Sequence, residues 1–258
     1  MTDAATLRSY LSRNRFMPTP PPELHFVGDG DYQAIGAEFL ERLIVNAGLK
    51  PQDNILDIGC GVGRLALPLT QFLETGSYDG VDPVEAGISW CKDNISSVYK
   101  NMNFHHVNCK HDLYNPGGQI KTESVVLPFE NGSIDLICMI SVVTHLDAAA
   151  ITRYASEASR LLAPGGRCFA TAFLMNEPAR ASLASNAGLL EFKANENGPF
   201  YYAIPEAPLA AVAYDEDYLL ELFFRHGLRR RAPGIYGNWS GRVGDSFQDI
   251  CIFEKVVS

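Results

Sequence analysis

Leu56-Asp57-Ile58-Gly59-Cys60-Gly61-Val62-Gly63 decides the reading of this 258-residue chain. The stretch ends a short apolar run, Asn54–Ile58, suited to a buried strand, and opens a segment, Gly63–Glu74, with helical spacing that Pro68 kinks unless it falls in the first turn. Glycines at a strand-to-helix turn let the backbone reverse sharply and lie directly against a ligand. The first such turn of a parallel sheet is where nucleotide-like cofactors bind. Asp57 precedes Gly59 by two residues, at an apolar strand end where an unpaired carboxylate is costly. Asp82, 25 residues further on, closes the next apolar run, Tyr78–Asp82, where an acid can accept hydrogen bonds from ribose hydroxyls. A dinucleotide-binding dehydrogenase is the nearest competitor. Its fingerprint is GxGxxG, whereas this chain has GxGxG and then Arg64. A pyrophosphate also gains nothing from Asp57; a ligand carrying an ammonium group does.

Outward from this turn, apolar runs alternate with helical patterns. Pro83–Val98 reads as a helix, Asn103–Asn108 as a strand, Ile134–Ser141 as a long buried strand and Ala148–Leu162 as a helix closed by Pro164-Gly165-Gly166. Arg167–Leu174 is again a strand, Asp215–His226 a helix, and Leu228–Tyr236 and Gln248–Val256 two final strands. This rhythm predicts an α/β, three-layer sheet with parallel crossovers and helices on both faces. The last two strands share no helix, so they are expected to pair antiparallel at one edge. Upstream, Tyr32–Ala47 places Ile35, Phe39, Leu43 and Ile44 on one helical face and stops at Gly48. Residues 1–25 read as an N-terminal arm, with a helix over Ala4–Phe16 halted by Pro18 and Pro20-Pro21-Pro22, and Gly28-Asp29-Gly30-Asp31 reads as a turn. The reading expects a single domain over residues 26–258. Two stretches break the rhythm, Cys109–Leu127 and Asn176–Pro208, and the second has the character of a cap or lid, at about 176–208.

The composition excludes several classes. The formal net charge is −9, the opposite of a nucleic-acid binder, and the basic run Arg229-Arg230-Arg231 is explained by a solvated strand end. No apolar run reaches the ~18–20 residues of a membrane span. Residues Met1–Tyr10 lack a basic-then-apolar leader, so a cytoplasmic protein with no membrane and no nucleic-acid partner is expected. The six cysteines are scattered without a CxxC pair, which favours buried free thiols over disulfides or zinc. A homo-oligomer is compatible with all of this.

Four segments carry a family resemblance. Asp57-Ile-Gly-Cys-Gly-Val-Gly63 resembles motif I of the class I S-adenosylmethionine-dependent methyltransferases, and Tyr78-Asp-Gly-Val-Asp82 resembles their acidic second-strand motif. Leu127-Pro-Phe-Glu-Asn-Gly-Ser-Ile-Asp135 is similar to the approach to their fourth strand, and Leu161-Leu-Ala-Pro-Gly-Gly166 to the turn before the fifth. The four cover roughly residues 50–175 in the family's order. The resemblance implies a Rossmann-like, seven-stranded, mostly parallel sheet with an antiparallel last strand, and S-adenosyl-L-methionine as cofactor. It further implies that the backbone of Gly59, Cys60 and Gly61 packs on the methionine part, that Asp57 serves its ammonium, and that Asp82, with Pro83 beside it, serves the ribose. The adenine contact falls at Asn108 and Cys109, where the family's usual Gly-Asp-Ala is absent and an insertion follows.

The chemistry is less constrained by sequence. Displacement at a sulfonium methyl needs an aligned nucleophile and the exclusion of water, and a base only if the nucleophile must lose a proton. Ser141 ends the fourth strand on the side where ligands lie, and His145 follows it with a pKa suited to a proton acceptor. His145 is therefore the candidate catalytic residue, the alternative being a helix cap or a polar filler. His105, His106, Cys109 and His111 lack metal-ligand spacing, and no metal is expected. Tyr202 in Phe200-Tyr201-Tyr202, and Tyr236 and Trp239 in the last hairpin, are candidate walls of an apolar substrate pocket or, equally, core under long loops. Gln248-Asp249 reads as an edge-strand polar pair, with substrate contact as the alternative. The reading is a methyltransferase acting on an O, N or C atom of a small-molecule acceptor. A protein-directed methyltransferase and a non-catalytic cofactor-binding protein stand as alternatives.

Overall fold

Burial on both faces turns Ile-Leu-Asp-Ile into β1, Ile55–Ile58, since all of its residues lie under other elements. The computed structural model describes residues 3–25, 28, 30–185, 187–196 and 198–256. Asp29 of the predicted turn 28–31 and Asn186 and Asn197 of the predicted lid lie outside the described residues. The chain divides into two compact units, one of Met1–Asn108 with Ile134–Cys138, the other of Cys109–Ser133 with Met139–Ser258.

In the first unit, α1 (Ala4–Leu11) and α2 (Tyr32–Ala47) precede β1, which is followed by α3 (Ala66–Leu69), β2 (Tyr78–Asp82), α4 (Glu85–Cys91), β3 (Met102–His106) and β4 (Ile134–Met139). β1 pairs in parallel with β2, with Asp57 opposite Gly80, and with β4, with Asp57 opposite Cys138. β3 pairs in parallel with the outer side of β2. α1 is shorter than expected, because the chain turns out of helix at Ser12, before the prolines. α2 has its predicted bounds: the Asp31 carboxylate accepts from the Ala34 N–H at 2.8 Å, and Gly48 caps the end at φ 65°. Its buried face is Tyr32, Gly36, Ala37, Leu40, Leu43 and Ala47, rotated from the predicted one. The cause is a close approach. Pro68 has no N–H for the Arg64 carbonyl four residues back, and α2 comes in at that oxygen, where a Cβ on Gly36 would lie 2.3 Å away. Regular helix within Gly63–Glu74 is limited to α3, with Pro68 in its first turn, where a proline needs no helical donor. The predicted helix Pro83–Val98 is α4 continued by a π turn, Lys92–Ser96.

In the second unit, α5 (Ala148–Leu161) leads into the long β5 (Leu162–Met175), then α6 (Glu177–Ala184), β6 (Lys193–Ala194), β7 (Phe200–Tyr202), β8 (Val212–Asp215), α7 (Glu216–Arg225), β9 (Leu228–Arg230) and β10 (Asp249–Lys255). β10 runs antiparallel to both β5 and β9, as the missing crossover helix required. It is flanked on both sides, so Asp249 does not open an edge strand. β9 stops at Arg230 because Pro233 cannot donate to a ladder. The predicted irregular insertion holds α6 and two short strands: β8 pairs in parallel with the end of β5, β7 antiparallel with β8, and β6 with β7. The segment before β4 is clamped to α5 by Glu157, 2% exposed, which accepts from the Leu127 N–H at 2.8 Å and pairs with Arg153 and Arg160. Taken together, the chain has an α/β Rossmann-like fold, a mostly parallel sheet with antiparallel edge strands and helices on both sides.

Candidate functional site

The glycine turn is built by β2. The N–H groups of Gly59 and Cys60 both donate to the Val81 carbonyl, at 2.8 and 3.1 Å, which ends β1 and lifts the chain over the strand tips. Gly59 and Gly61 then take φ of 76° and 57°, a region disfavoured for any side chain. The Gly61 N–H donates to Asp82 Oδ2 and the Val84 N–H to Asp82 Oδ1, each at 2.8 Å. Asp82 thus already holds the loop in shape, and each of its oxygens keeps a further lone pair. Pro83 beside it is half-buried and accepts from His106 through its carbonyl. The Cys60 thiol points away into the core, and a Cβ on Gly80 would lie 2.8 Å from its sulfur. Only the backbone of Cys60 is therefore available to a ligand.

Asp57 is 3% exposed. The Tyr78 hydroxyl donates to its Oδ2 at 2.7 Å, and no donor among the described residues reaches its other oxygen. Burial pushes the carboxyl up to about 7, with the Tyr78 hydrogen bond opposing and the neighbouring Asp82 adding to the rise. Burial likewise raises Asp82 to about 6, against the two backbone N–H groups. Two buried acids held near neutrality beside a glycine turn suit a cationic ligand, which would favour the charged form of both. Tyr78 was missed by sequence reasoning. A tyrosine in a fully buried strand must find a hydrogen-bond acceptor, and β1 offers it a buried carboxylate.

All but one of the remaining candidates lie in the second unit. Asn108 is half-buried at the end of the first unit; Cys109, the first residue of the second, is 3% exposed, and its carbonyl accepts from the Asn115 side chain at 3.1 Å. Ser141 is the one non-glycine with positive φ among the described residues, at 56°. It is held there by its N–H donating to Thr171 Oγ1 at 2.7 Å and its hydroxyl to Gln248 Oε1 at 3.3 Å. His145 is half-buried, and its Nδ1 lies 3.0 Å from the Leu209 carbonyl. A carbonyl only accepts, so Nδ1 carries the proton and Nε2 presents a lone pair, with the Tyr114 hydroxyl 3.5 Å from it. Burial lowers the His145 pKa, keeping the ring neutral. His111 supports the segment, its Nε2 donating to the His145 carbonyl at 2.7 Å.

The histidines do not converge: His105 pairs with Asp79 and His106 with the Pro83 carbonyl. The aromatic candidates are tied into the body of the unit. Trp239 is fully buried in a cluster with Phe173, Met175, Ala179 and Ala213, and its indole N–H donates to Asp249 at 2.7 Å. Asp249 also accepts from Leu174, Gly237 and Arg242. The Tyr236 hydroxyl donates to Glu216 at 2.7 Å, and the Arg242 guanidinium lies 4.6 Å from its ring centre. Tyr202 is half-buried on β7, its hydroxyl accepting from Asn195 at 3.2 Å.

Known proteins share this chain's family pattern and fold. The family described as "Methyltransferase domain" matches residues 31–203. The sterol 24-C-methyltransferase of Schizosaccharomyces pombe is 30% identical over 142 residues, 55% of this chain and 33% of that protein. A 23S rRNA (uracil(1939)-C(5))-methyltransferase of Enterobacter sp. is 32% identical over 105 residues, 40% of this chain and 23% of that one. The match therefore spans a third or less of these curated relatives. A crystal structure of a protein from Methanosarcina mazei, titled as a SAM-dependent methyltransferase, superposes with a TM-score of 0.56 at 22% identity, covering 83% of this chain and 98% of that one. With the glycine turn, its two acids and a family match over most of its length, the chain belongs to the class I S-adenosylmethionine-dependent methyltransferases, whose cofactor is S-adenosylmethionine.

Proposed function

We propose that this chain methylates an O, N or C atom of a small organic molecule, using residues 26–258 as one catalytic domain with residues 176–208 as its lid, in the cytoplasm. The observation that carries the cofactor side is Asp57, a buried carboxylate with one oxygen that no donor among the described residues reaches, beside a turn of positive-φ glycines. In this reading Asp57 holds the ammonium of the methionine part, the backbone of Gly59 and Gly61 lies along that part, and the spare lone pairs of Asp82 accept the ribose hydroxyls. When bound, S-adenosylmethionine supplies an electrophilic methyl group. His145 supplies the base: its tautomer is fixed by Leu209, so Nε2 takes the proton of an acceptor hydroxyl or amine. The Tyr114 hydroxyl keeps that nitrogen oriented.

A small acceptor is supported by the net charge of −9 and by the similarity to a sterol methyltransferase. The similarity to an rRNA methyltransferase makes RNA the arm of the test to include. The purified protein is incubated with methyl-labelled cofactor and, separately, a small-molecule extract, total RNA and a protein extract. Label entering small molecules supports the reading; label entering only RNA or protein overturns the acceptor assignment. Cofactor binding without transfer to any fraction identifies a non-catalytic binder.

A further inference from the structure

Gln248, the residue before β10, is half-buried, and two hydroxyls of the same unit hold its amide in one orientation. The Thr171 hydroxyl, fully buried on β5, accepts from the Ser141 N–H at 2.7 Å and donates its own proton to Gln248 Oε1. The Ser141 hydroxyl donates to the same oxygen at 3.3 Å. A carbonyl oxygen has two lone pairs, so both are taken and the nitrogen has no place on that side. The two N–H groups of Nε2 are left with no acceptor among the described residues. The backbone is fixed as well: Gly237 packs on it, where a Cβ would lie 2.6 Å from the Gln248 carbonyl carbon, and the next residue, Asp249, is wholly buried. Ser141 holds a φ of 56°, which a serine keeps only where its surroundings impose it, and such outliers gather at functional sites. It follows the carboxyl end of β4, the side on which ligands of parallel sheets lie. A strained serine and a buried threonine thus spend their hydrogens on aiming one pair of donors.

We propose that Gln248 positions the methyl acceptor, its Nε2 donating to a carbonyl-type oxygen of that molecule. The assignment rests on the small-molecule reading above and narrows it: the acceptor carries a hydrogen-bond-accepting oxygen besides the atom that is methylated. An amide whose own oxygen is committed has no lone pair to offer, so it rejects a group that can only donate, such as an ammonium.

For the test, the acceptor is purified from the small-molecule extract by its methyl label, and wild type and Gln248→Glu are compared on it at saturating cofactor. The variant keeps an oxygen for both hydroxyls and replaces the two N–H donors by a second oxygen. At pH ~8 it should lower kcat/KM by about ten- to hundredfold, chiefly through KM, with the cofactor Kd within about twofold. Acid protonates the new carboxyl, whose O–H then stands in for the N–H, so the deficit against wild type should shrink to about four- to sixfold at pH ~5. A side chain that only braces the fold has no reason to recover in acid. Wild-type kcat/KM in the variant, a deficit independent of pH, or an equal loss of cofactor affinity overturns the proposal. If Gln248→Glu does not fold, Gln248→Met replaces it, and an acceptor KM equal to wild type then overturns the proposal. An extract that takes no label from the wild-type chain overturns the acceptor reading and this assignment with it, whereas a labelled acceptor handled alike by wild type and variant overturns this assignment alone.

Discussion

Lowering the pH should weaken cofactor binding, by an amount fixed by the two buried acids. Asp57 releases its proton at about 7 and Asp82 at about 6, and both rises come chiefly from burial. A cationic ligand needs Asp57 ionised, so protons compete with it. The ligand's own α-amino group, with a pKa near ~7.8, sets the opposite limb, which places the affinity maximum near pH ~7.4. From there to pH ~6 the competition amounts to about tenfold in Kd, or about 1.4 kcal/mol. Most of it comes from Asp57 and about twofold from Asp82. Titration calorimetry at pH ~7 in buffers of different ionisation enthalpy should register release of about half a proton per cofactor bound. Asp57→Asn should abolish that release and reduce the acid limb to the twofold part. The same substitution acts on the free protein with a definite sign. Because the folded-state pKa of Asp57 lies above its unfolded value, its contribution to stability is full below pH ~4 and is lost as pH rises through about 7. Asp57→Asn should therefore raise the Tm of the ligand-free chain at pH ~8, by no more than about 4 kcal/mol of stability, and leave it nearly unchanged at pH ~4. A Kd that is flat between pH ~7.4 and ~6, with heats independent of buffer, would refute the placement of Asp57 against the cofactor.

Four further outcomes are expected. With an acceptor in hand from the extract screen, His145→Gln should lower kcat by about a hundred- to ten-thousandfold while the cofactor Kd from calorimetry stays within about twofold; an unchanged kcat removes the base. The acid limb of the wild-type kcat/KM profile for the acceptor, taken at saturating cofactor, should lie below pH ~6.5, since burial lowers the His145 pKa. Glu157→Ala strands Arg153 and Arg160 and frees the Leu127 N–H, and should cost about 3 kcal/mol, read as a lower midpoint in chemical denaturation. Trp239→Phe removes one donor from Asp249, which has no exposed surface, and should cost about 1–3 kcal/mol in the same experiment; a stability equal to wild type would mean that Asp249 does not depend on that bond.

The parallel half of the fold was legible because each of its signals is local. Ile55–Ile58 and Tyr78–Asp82 are apolar runs of strand length with a glycine turn between them, and β2 has its predicted bounds. The helix pattern failed where a tertiary contact decided the outcome. The buried face of α2 is set by the approach of Gly36 to a carbonyl that Pro68 leaves without its helical donor, and no periodicity in Tyr32–Ala47 encodes that. β8 was missed because Val212–Asp215 is too short to signal alone and exists through its pairing with the end of β5. The candidate site divides in the same way. Asp57, Gly59, Gly61 and Asp82 stand out by spacing, whereas Tyr78 matters through what lies across a strand. Trp239 and Tyr236 look alike in sequence to pocket aromatics, and it is the buried Asp249 and the half-buried Glu216, 10 and 20 residues away, that give their polar atoms an acceptor inside the unit.

The double grip of Asp82 on Gly61 and Val84 has a consequence for the timing of order in this molecule. A carboxylate that clasps two amides on its own has finished shaping the receptacle when the polypeptide finishes folding. The entropy of freezing those residues is then charged to folding and not to the encounter with the cofactor. Amide hydrogens at Gly61 and Val84 should accordingly exchange slowly even in the empty protein, and saturation with cofactor should add little to that protection.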